Sequence, residues 1–414
     1  MKLYLESLGC DKNRVDAEKL LFELLQKYPG SSVTDEPSEA EIAIVNTCSF
    51  IGPAKEESIQ CILDLAQYKE TGKLEKLIVA GCLVERYKDE IRKELPEIDE
   101  ITSVKDYVKR LDHQMARVES GEKYSRYLKI AEGCDKYCSY CIIPRLRGHY
   151  RSIPKELVLE EARALVSEGA GELILVAQET TLYGTDLYKK KALAELLAEL
   201  SEIPNLQWIR ILYCYPEEIE PELIREMKRN PKVCHYLDLP IQHASDRILK
   251  RMNRHYSKES YMALVKKIRE ILPDVSLTTD IIVGFPGETE EDFQDTMEVV
   301  AYSKFDSAFT FQYSKRTGTP AAKWEAVPED VVKERFQRLL EHIRLHSEER
   351  EGRDLGKVME VLVEEKDKES ENMLTGRLSN NVLVHFEGGE RLIGEIVPVR
   401  LDKSMGFYYY GSVL

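Results

Sequence analysis

The strongest constraint on this chain is a repeated alternation of short apolar runs with amphipathic helical stretches. Such alternation is satisfied by parallel strands laid side by side with helices over their faces. Lys2-Leu3-Tyr4-Leu5, Ile42-Ala43-Ile44-Val45 and Leu77-Ile78-Val79-Ala80 are strand candidates, and each runs into a loop bearing one cysteine: Cys10, Cys48 and Cys82. A helical stretch follows each, the first being the amphipathic run from Asp16 to Tyr28. Right-handed crossovers align the C-terminal strand ends along one edge, where ligand sites of such sheets lie, so the three thiols can converge. They can then supply three corners of an iron–sulfur cluster. A free cysteine is also a small buried hydrophobe, and the pattern alone leaves both readings open. Cys61 lies on a helix among Ile59, Ile62 and Leu63 and reads as core packing, and Cys214 and Cys234 have no partners at ligand spacing.

A polar stretch, Val118 to Lys123, ends a first α/β domain at residues 1–117. Six further strand candidates follow: Tyr127 to Ile130, Glu172 to Ala177, Gln207 to Leu212, Tyr236 to Ile241, Leu277 to Val283 and Ala308 to Tyr313. With the helical runs between them they predict an open, partial (β/α)6 barrel of the TIM type over residues 124–352, the last part being a charged helical connector from Pro328. From residue 356 to 414 the pattern changes to five short alternating strands, which predict a small closed antiparallel β-barrel. Polar residues mark the ends of the barrel strands: Gln178-Glu179-Thr180 after the second, Arg210 and Tyr213 at the third, Gln242-His243 after the fourth and Gly284 to Gly287 after the fifth. A lone glutamine or arginine there more often orders a loop than touches a cofactor. His243 has no metal spacing around it and reads as structural.

The densest chemical signal is Gly133-Cys134-Asp135-Lys136-Tyr137-Cys138-Ser139-Tyr140-Cys141, a C-x-x-x-C-x-x-C run directly after the first barrel strand. Three soft thiolates in one loop can bind three corners of a cubane 4Fe-4S cluster and leave the fourth iron without a protein ligand. Structural zinc wants four protein ligands, yet no second C-x-x-C pair or paired histidines follow, His149 being the one nearby candidate. A disulfide would leave one thiol over, and no apolar signal peptide opens the chain, so the cysteines are expected in reducing cytoplasm. An electron carrier ordinarily ligates every cluster iron through protein. Two three-cysteine sites therefore favour an enzyme over a non-catalytic iron–sulfur or RNA-binding protein.

Ala131-Glu132-Gly133-Cys134-Asp135, the cysteine run and Ile142-Ile143-Pro144-Arg145-Leu146-Arg147-Gly148 resemble the radical S-adenosylmethionine (SAM) methylthiotransferases, and the resemblance extends over essentially the whole chain. It implies that a cluster on Cys134, Cys138 and Cys141 holds SAM at its open iron. One electron, from a reductant such as flavodoxin or ferredoxin, then cleaves a carbon–sulfur bond to give a 5'-deoxyadenosyl radical. It implies a second 4Fe-4S cluster on Cys10, Cys48 and Cys82 that carries the transferred sulfur, and a second SAM that donates the methyl group. Cofactor contacts are expected at Gln178, Glu179, Thr180 and Arg210, with Gly284 and Gly287 beside the adenine. The tail resembles the family's TRAM domain, which engages the macromolecular substrate.

Two branches of the family compete for that substrate. Ser7-Leu8-Gly9-Cys10-Asp11-Lys12-Asn13, Tyr213-Cys214-Tyr215-Pro216 and Pro240-Ile241-Gln242-His243-Ala244-Ser245 resemble the branch that methylthiolates an aspartate β-carbon of ribosomal small-subunit protein twelve. Phe305 to Phe311, Tyr313 to Pro320 and the tail from Thr375 resemble the branch acting on isopentenylated adenosine in transfer RNA. The formal charge of −15 disfavours a broad hold on nucleic acid, and the tail itself carries ten acidic against seven basic residues. An acidic enzyme suits a basic ribosomal protein, so the protein substrate is expected, with transfer RNA as the alternative. No stretch approaches the length of a membrane span, so no membrane partner is expected.

Overall fold

The computed structural model describes residues 1–414 except Phe50, Met115, Lys368, Glu369 and Glu371, the last three being charged residues of the tail counted above. Strands β1 (Lys2–Ser7), β2 (Ser32–Val33), β3 (Ile42–Thr47), β4 (Lys76–Gly81) and β5 (Glu100–Ser103) form one parallel sheet in the order β2-β1-β3-β4-β5. Every residue of the central β3 is buried, as an uninterrupted apolar run requires when both faces are covered. The edge strands β2 and β5 were not expected: the first is two exposed residues long and the second mixes polar with apolar positions. The first helix spans Asp11–Lys27 and so begins five residues before the amphipathic run predicts. Its opening turns bury polar side chains, Lys12, Asn13 and Asp16, which an apolar periodicity does not register.

Strand β6 (Ser125–Lys129) leads into a short antiparallel pair, β7 (Ala131–Glu132) with β8 (Arg151–Ser152), which closes the base of the cysteine loop. Strands β9 (Glu172–Val176), β10 (Trp208–Ile211), β11 (Tyr236–Asp238), β12 (Ser276–Val283) and β13 (Ser307–Gln312) continue the parallel array. They fall into two sheets, β10-β9-β6 and β11-β12-β13, joined by a bridge between Ile209 and Val233. Among the described residues β13 does not pair with β6, and the six strands form the open barrel the sequence predicts. The stretch read as a linker is pinned to the first domain: the Val118 N–H donates to the Glu18 carbonyl at 3.1 Å, and Ser120 Oγ donates to Glu18 Oε1 at 2.7 Å.

Strands β14 (Val358–Lys366), β15 (Met373–Leu378), β16 (Leu383–Glu387), β17 (Ile396–Ser404) and β18 (Tyr408–Val413) form a closed barrel in the order β14-β15-β16-β18-β17. It is not antiparallel throughout: β16 and β18 run parallel, because β17 crosses to the far side of β14 before β18 returns to close the ring. This barrel docks on the N-terminal ends of the central strands. Trp208 and Tyr236, the first residues of β10 and β11, pack with Cys234 and Leu362, and Arg377 donates to Glu172, the first residue of β9, at 2.8 Å. The cysteine loop lies at the opposite, C-terminal edge.

Candidate active site

The first cysteine triad is assembled by backbone proximity. Cys10 caps the helix Asp11–Lys27, Cys48 directly follows β3, and Cys82 opens the helix Cys82–Glu94. Two of the three thus sit at helix N-termini, where the partial positive charge favours a thiolate or an anionic cluster. Gly9 (φ +98°) lets the loops meet: a Cβ there would lie 2.8 Å from Cys48 Cβ and 3.0 Å from Cys48 Sγ. Asn13 ties the loops together by donating to the Leu8 carbonyl at 3.2 Å and the Thr47 carbonyl at 3.0 Å, and its Oδ1 accepts from Arg147. Burial pushes the Cys82 thiol up to about 11, although the nearby Arg147 guanidinium pulls it down.

The second triad sits in the loop closed by β7 and β8. Gly133 (φ +82°) has no space for a side chain, since a Cβ would lie 2.2 Å from the His149 carbonyl oxygen. Its N–H donates to Gln178 Oε1 at 2.8 Å, and Gln178 Nε2 donates to Glu132 Oε1 at 2.7 Å. Asn253 holds the tip of the loop by donating to the Lys136 and Tyr137 carbonyls. Burial pushes Cys134 up to about 12 and Cys141 to about 11. A metal must therefore displace a proton from each. Among the described residues no three His, Cys, Asp or Glu side chains close up as the ligand cage of a single ion. In each triad the cysteines lie near enough to act on one another electrostatically, Cys82 with Cys10 and Cys48, Cys134 with Cys138 and Cys141, and three thiols are the donor set of a cubane with one open iron.

Two short connections join the triads. On one side Arg147, six residues after Cys141, reaches Asp16 and Asn13 of the first helix and lies 3.7 Å from Cys82 Sγ. On the other, Tyr213-Cys214-Tyr215 straps the mouth of the barrel. Tyr213 OH donates to Asp11 Oδ2 at 3.2 Å, the Lys12 ammonium sits 3.1 Å above the Tyr213 ring, and Tyr215 OH lies 3.9 Å from Cys138 Sγ. Thr180 Oγ1 anchors the strap through the Leu212 and Tyr213 carbonyls. Beneath it lie two carboxylates. Asp238 accepts from the Tyr213 N–H at 3.0 Å, and Asp280 is pushed up to about 7 by burial and by Asp238.

Of the residues expected to contact the cofactor, Gln178, Glu179 and Thr180 lie at this mouth. Glu179 is buried, spends Oε1 on Thr181, has no hydrogen-bond partner for Oε2 among the described residues, and is pushed up to about 7 by burial. Arg210 is a correction. It points to the other end of the barrel, donating to Glu172 Oε1 at 2.8 Å and to the Ser379 carbonyl of the tail at 2.8 Å. Gly284 (φ +74°) makes room for Val332, whose Cγ2 would lie 2.4 Å from a Cβ, and the nearest contact of Gly287 is Arg251. Cys214 and Cys234 are buried, Cys61 packs half-buried against the core of the first domain, and His243 is held between Glu288, Ser245 and Thr296. Asn13 and Asp16 have no role in the sequence reading beyond their places in the motif around Cys10 and at the start of the first helical run.

The fold and its two thiol triads define a radical SAM enzyme with an added N-terminal cysteine domain and a TRAM barrel. The Radical SAM superfamily profile matches residues 128–300, the profile of the Uncharacterized protein family UPF0004 matches 2–103, and the TRAM domain profile matches 352–414. Three proteins named "Ribosomal protein uS12 methylthiotransferase RimO" align along the entire chain. That of Lachnoclostridium phytofermentans is 45% identical with 100% of its own length covered, that of Geobacter sulfurreducens 43% with 98%, and that of Clostridium botulinum 42% with 98%. The chain belongs to the RimO family of radical SAM methylthiotransferases, whose cofactors are SAM and 4Fe-4S clusters. Among solved structures, the radical SAM methyltransferase TsrM of Kitasatospora setae, with cobalamin and a 4Fe-4S cluster, shares the fold at a TM-score of 0.58 and 13% identity over 78% of this chain and 76% of its own. The cobalamin-dependent enzyme OxsB does so at 0.53 and 11% over 83% and 56%.

Proposed function

We propose that this enzyme adds a methylthio group to the β-carbon of an aspartate of ribosomal protein uS12. In this reading Cys134, Cys138 and Cys141 hold the cluster that binds SAM, and Cys10, Cys48 and Cys82 hold the second. The domains are residues 1–117, 124–352 and 356–414. The observation that carries it is the joining of both triads at one barrel mouth by Arg147 and the Tyr213-Cys214-Tyr215 strap. When bound, SAM and the clusters supply the radical cleavage and the sulfur that is transferred. The chain's own residues position and shield. Glu132 and Gln178 fix the backbone that presents Cys134, and Thr180 fixes the strap. Glu179 Oε2 is the buried acceptor set to receive the amino group of SAM. Gly284 and Gly287, each with positive φ, shape the loop after β12 that would lie beside the adenine.

The acidic chain and its acidic tail barrel favour a basic protein over transfer RNA, and the names of the relatives point the same way. No helix among the described residues is long and apolar enough to cross a membrane. Action on a ribosomal protein would put the enzyme in the cytoplasm, with a flavodoxin or ferredoxin as the reductant of this reading. Reconstituted enzyme is expected to add the methylthio mass to uS12 and not to hypomodified transfer RNA; product on RNA alone would overturn the substrate. It is expected to hold about eight irons, with about four lost when Cys10, Cys48 and Cys82 become Ala. One zinc per chain would overturn the ligand assignment.

A further inference from the structure

Lys12 is the anomaly among the buried lysines. Lys129 and Lys19 are fully buried, and each is paired, Lys129 with Asp16 at 2.6 Å and Lys19 with Glu161 at 2.9 Å. Lys12 is only 6% exposed, yet its ammonium makes no hydrogen bond and no ion pair among the described residues; its close partner is the Tyr213 ring. Asp238 is near enough to act on it electrostatically, but its Oδ2 is spent on the Tyr213 N–H and its Oδ1 has no hydrogen-bond partner among the described residues. An ammonium has three protons to donate, and withdrawing it from water without acceptors costs several kcal/mol, a cost that a tightly hydrogen-bonded anion offsets.

The place of Lys12 says which anion. It stands two residues from Cys10 and against Tyr213, which is two residues from the Tyr215 that reaches Cys138. A carbon that must lose a hydrogen near one triad and gain sulfur from the other has to lie between them. In aspartate the β-carbon is bonded directly to the carboxyl carbon, so a cation that grips the carboxylate in that gap also fixes the reacting carbon.

We propose that Lys12 holds the carboxylate of the substrate aspartate and thereby sets the preference for an acidic side chain. This rests on the reading of uS12 as substrate. The test measures binding of reconstituted enzyme to uS12 and to uS12 whose modified aspartate is replaced by asparagine. Wild type is expected to prefer the aspartate form by about 10- to 100-fold, the range for a charge-assisted hydrogen bond. Lys12→Met is expected to abolish that preference by weakening the aspartate form alone, while Lys12→Arg, which retains the charge, keeps it. A preference that survives in Lys12→Met, or equal weakening of both forms, overturns the proposal. Should Lys12→Met fail to hold iron, the wild type still decides, because equal binding of the two forms overturns it equally. If wild type adds no methylthio mass to uS12, the substrate reading falls and this proposal with it. If uS12 is modified but discrimination does not follow Lys12, only this proposal falls.

Discussion

Replacing Asp16 by Asn removes one carboxylate from a buried cluster in which the first domain meets the barrel. Lys129 lies 2.6 Å from Asp16, 3.1 Å from Glu132 and 3.3 Å from Asp112, and Arg147 pairs with both Asp16 and Glu132. Burial alone would raise the Asp16 carboxyl; Lys129 and Arg147 hold it below its ordinary value. Breaking one member of such a buried group costs about 3–5 kcal/mol, because the partner left behind is an uncompensated charge. Arg147→Met is expected to cost as much, with the opposite charge left over. The double variant removes one charge of each sign and should cost less than the sum of the two by about 1–3 kcal/mol. Both tryptophans, Trp208 and Trp324, lie in the barrel, so fluorescence is blind to the first domain. Hydrogen exchange of β6 and of the helix Asp11–Lys27 in the apo protein reads the interface directly. Additivity of the two substitutions within about 0.5 kcal/mol would refute the charge-balance argument. The pH dependence has a definite sign. A carboxylate depressed in the folded state contributes stability that is complete above about pH 4 and lost as pH falls through the lower folded value. Wild type should therefore lose more stability below about pH 4 than Asp16→Asn does.

Gly9→Ala places a Cβ 2.8 Å from Cys48 Cβ at a φ of +98°, and iron content is expected to fall from about eight toward about four per chain; full iron would show that the loops need no such contact. Asp280 is pushed up to about 7 by burial and Asp238, so its ionisation costs stability as pH rises from about 4 to about 7. Asp280→Asn should flatten that limb in urea denaturation of the apo protein, by at most about 4 kcal/mol from three units at 1.36 kcal/mol each; an unchanged limb would place the titration elsewhere. Arg210→Met is expected to speed hydrogen exchange in β15 while leaving SAM affinity as it was, and a loss of SAM affinity would restore Arg210 to the cofactor site.

The elements legible in the sequence are those whose side chains follow one rule along their length. β3 and β9 are each built on an apolar run of four residues, Ile42 to Val45 and Leu173 to Val176, and the sequence bounds them to within a residue or two. β2 is too short to carry a pattern, and β5 alternates too weakly. The first helix begins before its apolar pattern does. Lys12, Asp16 and Lys19 fall on one face at helical spacing, a pattern with no apolar signal, yet all three are buried. A charged stripe becomes an interface when the facing surface supplies opposite charges, here Lys129 and Arg147 for Asp16 and Glu161 for Lys19, and those lie more than a hundred residues away.

The same distinction decides which polar residues reach the mouth. Arg210 lies inside β10, and its side chain runs back to Glu172 at the start of β9, whereas Tyr213 and Gln178 lie two residues beyond the ends of β10 and β9 and reach the cysteine loops. A strand prediction that ends one residue late makes the two positions look alike. Beside Gly9 and Gly133, four of the eight non-glycine residues with positive φ among the described residues lie around the site. Tyr137, Tyr213, Gln242 and Asn253 have φ of 49°, 60°, 61° and 60°. Three of them stand at the strap or the cysteine loop, and Gln242 follows the fourth barrel strand beside Asp280. Left-handed backbone costs a non-glycine residue on the order of 1–3 kcal/mol, and it persists where surrounding contacts over-determine it. Here the contacts are the Asp238 carboxylate on the Tyr213 N–H, the Asp280 carbonyl on the Gln242 N–H, and Asn253 on the loop carbonyls. Strain held at Tyr213, within the strap that joins the two triads, is what a rigid gap between them requires.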